Sequence, residues 1–318
     1  MSSAQQRKPL IGYGLYLVAA ALFGFNGTVS KTLLATGISA ARLSQLRATL
    51  AFLVLLAIVL LTKRATLRVS SWREARLLAM YGIAGVMMTQ FMFFYSIHLI
   101  PVGITLIIEF TSPFMVAVWA RVRTGRPIGA RVLVGMAVAF TGLVLISQVW
   151  LGFQLNAVGV LFAWGAALSL AVYFVLGEAA TSAPYRRDPL SVTMFGFMGS
   201  ALVWALVQPW WSFPWHYLAG LSEPWGSAHW RLPLWLLVCS MVLFGTVVTF
   251  WVVLMSFRHI SATQASSFGM AEPVLASITA WLLIGEALSA WQVTGIVVAA
   301  LGILYAERSR MQPLEFVE

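Results

Sequence analysis

Acidic side chains are scarce in this sequence and aspartate is almost absent. Asp188 is the only one, which rules out a paired-aspartate catalytic dyad. Cysteine is as rare. Cys239 stands alone, so the chain can form neither an intramolecular disulfide nor a cysteine-cluster metal site. Charge of either sign is thin, at 9% of residues against about 25% in soluble chains. Enzyme signatures are missing as well: no metal-binding H-E-x-x-H, no G-x-S-x-G nucleophile turn and no phosphate-cradling Walker loop. The last absence removes ATP as a direct drive within this chain. No cofactor, no metal and no catalytic residues are expected.

What fills the space is hydrocarbon. The 318 residues are 60% hydrophobic, with a mean hydropathy of +0.88. Apolar runs recur along the whole chain, each near the roughly 20 residues that cross a bilayer core of about 30 Å. Ten such spans are predicted, at 10–34, 40–62, 75–97, 101–121, 129–148, 156–178, 190–209, 233–256, 260–284 and 288–306. The expected fold is therefore an all-α integral membrane protein of ten helices. Arg7 and Lys8 precede an apolar run too long for a signal peptide, so the first span is expected to be retained.

The net charge of +10 suggests nucleic acid until the positions are read. Basic residues sit in short loops between spans, the pattern that sets orientation in membranes. With the N-terminus inside, cytoplasmic segments collect sixteen of the twenty Lys and Arg, five of them (Lys63, Arg64, Arg68, Arg73, Arg76) after span two. Both termini are thus expected in the cytoplasm. Lys31, Arg42 and Arg47, near the outer ends of spans one and two, read as side chains snorkelling to the interface. One loop is long, 210–232; its tryptophans Trp210, Trp211, Trp215, Trp225 and Trp230 suit a headgroup-level anchor, with a lid as the other reading. The tail from 308 reads as disordered.

The chain also contains itself twice. Sliding by 160 positions (273 − 113) lays 260–306 on 100–146 without a gap, pairing Pro113 with Pro273, Gly125 with Gly285, Gly135 with Gly295 and Gly142 with Gly302. Five spans per copy is an odd number, so the second copy must cross in the opposite sense. The predicted organisation is a first five-helix repeat over 1–150 and a second, inverted one over 151–307. Two nearly equivalent packings, each open to one side, are what alternating access requires.

Each copy carries an acid inside an apolar span, Glu109 and Glu272. A charge at mid-bilayer costs roughly 2.5–3.5 kcal/mol even on the lenient insertion scale, so such acids face water, bind a cationic solute or carry a proton. The bland alternative is an acid hydrogen-bonded between helices. Pro113 and Pro273 each leave the carbonyl four residues back without its N–H partner, a kink that either lines a wet site or merely improves packing. Asn26, Gln90, Phe94, Tyr95, Trp164 and Tyr173 are the remaining candidate cavity residues, against bundle filling as their alternative. The glycines at 135, 142, 295 and 302 are assigned to close helix packing. Glu286 reads as a helix-start residue.

These motifs resemble the EamA-type ten-helix group of the drug/metabolite transporter superfamily. The stretches FFYSIHLIPVGITLIIEFTSP (93–113) and FGMAEPVLASITAWLLIGEALSAWQ (268–292) are most similar to its threonine/homoserine exporter branch. The resemblance implies two inverted five-helix repeats around a cavity lined by spans one, three, four, six, eight and nine. It implies export of amino acids or related metabolites, often proton-driven, across a bacterial inner membrane. Small four-helix members couple protons through an acid in span one, where this chain has Asn26 and Lys31. Coupling would then fall to Glu109 or Glu272, or transport would be uncoupled. A drug exporter, an uptake carrier, an intramembrane enzyme and a non-transporting receptor are the rival readings. The expected partners are a small-molecule substrate and the lipid bilayer, with the protein a monomer or homodimer.

Overall fold

The computed structural model describes residues 8–125, 128–151, 156–222, 231–285 and 287–311. Among them the regular structure is helical, apart from short 3-10 turns and one isolated bridge between Leu221 and Pro233. The helices are α1 (Pro9–Ala35), α2 (Ala40–Thr62), α3 (Trp72–Leu99), α4a (Val102–Glu109), α4b (Ser112–Thr124), α5 (Ala130–Ser147) and α6 (Ala157–Thr181). They continue with α7 (Pro189–Val207), α8 (Leu234–Ser256), α9a (Ala262–Gly269), α9b (Ala271–Ile284) and α10 (Ala290–Met311). Nine spans among the described residues are long and apolar enough to cross a bilayer, one of them running through the α4a–α4b break. The tenth predicted span is present but broken at Met270.

Proline explains that break and its counterpart. Pro113 and Pro273 cannot donate to the carbonyls of Glu109 and Gly269, and their rings press on the same turn. The helix stops at those two residues, the last of α4a and α9a, and resumes within three. Both broken helices then end alike, on Gly125 and Gly285 at φ +68°. A residue with a Cβ resists that left-handed turn, so glycine closes both helices.

Two further irregularities match across the halves. A π-turn interrupts α3 at Tyr81–Met87 and α8 at Leu243–Val248. The packing repeats as well. Helix α1 lies against α8 and α9b, as α6 lies against α3 and α4; α2 meets α7, and α5 meets α10. A Cβ on Gly12 would sit 2.6 Å from Ile260 Cγ2 and 2.9 Å from His259 Cβ; one on Gly159 would sit 2.7 Å from Ile100 Cγ2 and 2.9 Å from Leu99 Cβ. The two contacts are equivalent, each joining one half of the chain to the other.

The predicted glycine stripe is the α5–α10 seam. A Cβ on Gly142 would fall 2.3 Å from the Ala299 nitrogen, and one on Gly302 would fall 2.2 Å from the Ala139 nitrogen. Backbones this close gain dispersion along their whole length.

Two basic residues counted as loop charges are tied into buried networks. Arg187 pairs with Glu74, donates to the carbonyls of Thr66 and Arg68, and lies 4.8 Å over the Phe195 ring. Arg310 donates to Ser267 Oγ at 2.8 Å. In the long loop, Arg42 donates to the Pro209 carbonyl (3.1 Å) and Ser212 Oγ (2.7 Å), and Trp210, Phe213 and Trp215 stack on one another. Arg42 is thus a loop clamp rather than a snorkelling cation. Helix α10 continues through 308–311, so the first part of the tail read as disordered is helical; Trp225, Trp230, Glu286 and residues 312–318 lie outside the described residues.

Candidate functional site

A cavity of about 700 Å³ opens between the helices, walled by α1, α2, α3, α4, α6, α8 and α9. Six of these were expected; α2 was not. The helical period selects the lining. On α1, Tyr16, Phe23, Asn26, Gly27, Ser30 and Leu34 face inward at spacings of seven, three, one, three and four, which is one face of a 3.6-residue helix. On α3, Val86, Gln90, Phe93, Phe94 and Ile97 do the same.

Asn26 and Tyr173 stand at corresponding positions, 147 residues apart like Gly12 and Gly159. Each leans on the π-turn of the neighbouring helix. A Cβ on Gly245 would fall 2.2 Å from Asn26 Oδ1, and one on Gly85 would fall 3.1 Å from Tyr173 Cα. The widened turns and their glycines are what admit these two side chains. π-turns of this kind concentrate at functional sites. Gln90 and Phe250, 160 apart, also face each other's half across the cavity.

Glu109 and Glu272 both reach this space. Their counterparts at a shift of 160 are Gly269 and Ser112, which line it too. So the acids occupy different rungs of matched helices. No hydrogen bond or ion pair joins either carboxylate to another described residue. They are not glue between helices. Arg47 completes the charge set. It donates to Gln90 Oε1, and its charge and that of Glu272 act on each other across the cavity.

Three readings from the sequence are corrected here. Tyr95 stacks on Phe162 with ring centres 4.3 Å apart and is 45% exposed, on the outer face of α3. Trp164 is 46% exposed and absent from the lining. The reason is helical phase: Tyr95 is one residue, about 100°, past Phe94, and Trp164 is nine residues, about 180°, from Tyr173. Arg47, read as an interfacial cation, belongs to the cavity wall. Its position seven residues into a span was the available signal. Tyr16, Phe23, Phe93 and Phe250 are further lining residues that composition could not single out from bundle filler.

The two ends of the cavity differ. Toward the chain termini, Tyr16 and Phe174 form its floor, buried and stacked at 6.4 Å. Below them Tyr13 Oη donates to Glu307 Oε2 (2.6 Å) and accepts from Gln264 Nε2 (2.6 Å), while Arg310 stands 3.5 Å from Glu307. Tyr13 also stacks on Phe268 at 4.6 Å. At the other end the lining runs out to exposed Lys31 and partly exposed Leu34 and Ile97. There the positions 160 earlier than Gln264, Ser267, Phe268, Glu307 and Arg310 are Ile104, Ile107, Ile108, Ser147 and Trp150. The polar latch has no copy at the open end. A second hollow of about 410 Å³ adjoins there, between α1, α4a, α5, α9b and α10.

Among the described residues no group of three or more His, Cys, Asp or Glu is placed to hold a metal.

A bundle of apolar helices around a charge-bearing hollow, closed on one side by breakable polar contacts, defines a membrane transport protein. The model of the EamA-like transporter family matches the chain twice, over residues 10–148 and 157–306. The chain belongs to that family, within the drug/metabolite transporter superfamily. No curated protein matches it. Twenty-nine solved chains do match. One, the crystal structure of a protein, superposes on 96% of this chain and 100% of its own with a TM-score of 0.76, at 17% sequence identity. That likeness is one of fold.

Proposed function

We propose that this transporter exports small zwitterionic metabolites, amino acids foremost, by alternating access across a bacterial cytoplasmic membrane. The observation that carries this reading is the pair of acids, Glu109 and Glu272, facing one solute-sized cavity without protein partners. An ammonium group is the complement of such carboxylates; a proton is the other cation they accept, which would couple export to the proton gradient. Aromatic walls from Phe23, Phe94, Tyr173 and Phe250 suit an amphiphilic body. The family match on each half, and contacts such as Gly12–Ile260 and Gly159–Ile100, support two inverted five-helix repeats. The latch at the terminus end supports a state open to the outside, with both termini in the cytoplasm. Similarity of 93–113 and 268–292 to the threonine/homoserine exporter branch supports an amino-acid cargo.

The test is flux through purified protein in proteoliposomes, comparing wild type with Glu109→Gln and Glu272→Gln. Loss of flux, or of its pH dependence, is expected in at least one variant. Unchanged flux and unchanged pH dependence in both would reject the role of the acids. The aromatic lining also favours a second reading, export of hydrophobic drugs. It predicts that lipophilic cations compete for flux and that hydrophilic amino acids do not.

A further inference from the structure

The geometry points to Arg47 as the residue that binds the carboxylate of the transported solute, with Gln90 holding its guanidinium in place. This rests on the amino-acid reading above and extends it to a residue outside the acid pair.

Arg47 is the eighth residue of α2, where a guanidinium with nothing to do would be drawn back to the interface. Instead it turns into the cavity wall beside Gln90. Gln90 Oε1 takes one Nη2 proton, and Nε is shielded from water with no hydrogen-bond partner. An arginine in this wall, within electrostatic reach of Glu272, would ordinarily collapse onto it. Here it does not: Arg47 and Glu272 act on each other electrostatically, yet no ion pair joins them. Opposite charges held apart across an open hollow are matched by a solute that carries both charged groups on one carbon. Its ammonium would meet Glu272 or Glu109 and its carboxylate the fork of Arg47, which presents paired donors as lysine cannot.

The site then has a polarity. The charged head of the solute sits at the level of Arg47, Gln90 and Glu272, leaving its side chain to Phe23, Phe94 and Phe250. Gln90 is a positioning residue. Its carbonyl orients the guanidinium and touches the solute only through it.

The experiment uses the full chain in proteoliposomes with three probes of one skeleton: phenylalanine, phenethylamine, which lacks the carboxylate, and 3-phenylpropionate, which lacks the ammonium. Wild type is expected to move phenylalanine and to show at least tenfold weaker competition by either fragment, the scale of one lost charge-assisted pair. Arg47→Gln should raise the KM for phenylalanine at least tenfold while leaving competition by phenethylamine unchanged. Arg47→Lys, which keeps the charge, should recover part of the loss. Gln90→Leu should raise KM less than Arg47→Gln, with kcat preserved. If Arg47→Gln fails to fold, the Arg47→Lys shift in the phenylalanine-to-phenethylamine ratio decides. Equal loss for both probes, or no change for phenylalanine, would overturn the assignment while leaving the transporter reading intact. Absence of wild-type phenylalanine flux, with flux of lipophilic cations instead, would reject the amino-acid reading and this inference with it.

Discussion

The closed end of the cavity offers a perturbation whose size follows from its contacts. Tyr13→Phe keeps the ring stacked on Phe268 at 4.6 Å and removes one oxygen. With it go the bond to Glu307 and the bond from Gln264, each 2.6 Å. A hydrogen bond to a charged group contributes about 1.5–3 kcal/mol and a neutral one about 0.5–1.5. The sum, about 2–4.5 kcal/mol, favours the latched state over one in which α1 leaves α9a and α10. At about 1.4 kcal/mol per tenfold, the unlatched population should rise by between roughly thirtyfold and somewhat over a thousandfold. The assay places a single cysteine at Ser266, which lines the cavity and is 1% exposed, in a Cys239→Ser background. Labelling by an impermeant maleimide from the terminus side then reports opening at that end. Tyr13→Phe should speed it at least tenfold. Labelling at the wild-type rate in a folded Tyr13→Phe protein would refute the claim that these contacts hold the end shut.

The remaining expectations concern packing and pH. Gly142→Ala puts a Cβ about 2.3 Å from the Ala299 backbone nitrogen, so α5 and α10 must part, at about 1–3 kcal/mol for overpacking. Thermal unfolding should come several degrees earlier than for Gly14→Ala, whose Cβ meets open space; equal midpoints would contradict the seam. His259, in the turn between α8 and α9a, has its pKa lowered by burial first, then by Arg258 and Lys8. Its folded form therefore binds a proton less readily than the unfolded chain. Stability from this group is complete above about pH 6.5, the unfolded value, and falls as pH drops below it. His259→Gln should flatten that acid limb in a thermal melt, and an unaltered limb would remove His259 as its source.

Much of the architecture was legible because lipid is a simple solvent. Helices must satisfy their own backbone there, so hydropathy alone located the spans, and the spacing of 160 exposed the duplication. Proline chemistry foretold the two breaks at Glu109 and Gly269. Glu109 and Glu272 could be chosen because an acid in a span is costly unless it has a hydrated neighbour.

Other features depended on distances between segments far apart in the chain. Tyr95 and Phe94 are adjacent letters of one type, and only the rotation of α3 against α6 sends one to lipid and the other to the cavity. Arg47, Arg187 and Arg310 look like ordinary span-end cations, yet each is held by partners at least 43 residues away or in another helix. The π-turns that seat Asn26 and Tyr173 escape hydropathy, and their glycines, Gly85 and Gly245, acquire meaning only once the neighbouring helix is in place.

By itself, then, the sequence determined that this is a duplicated bundle of membrane helices with an acid inside the matched span of each copy, Glu109 and Glu272, because burial of apolar length and the cost of intramembrane charge act locally. The tertiary structure alone decided which polar groups share a cavity, which charges stay apart across it and which end is latched. Those are matters of helix rotation and long-range approach, which no periodicity within a single span encodes.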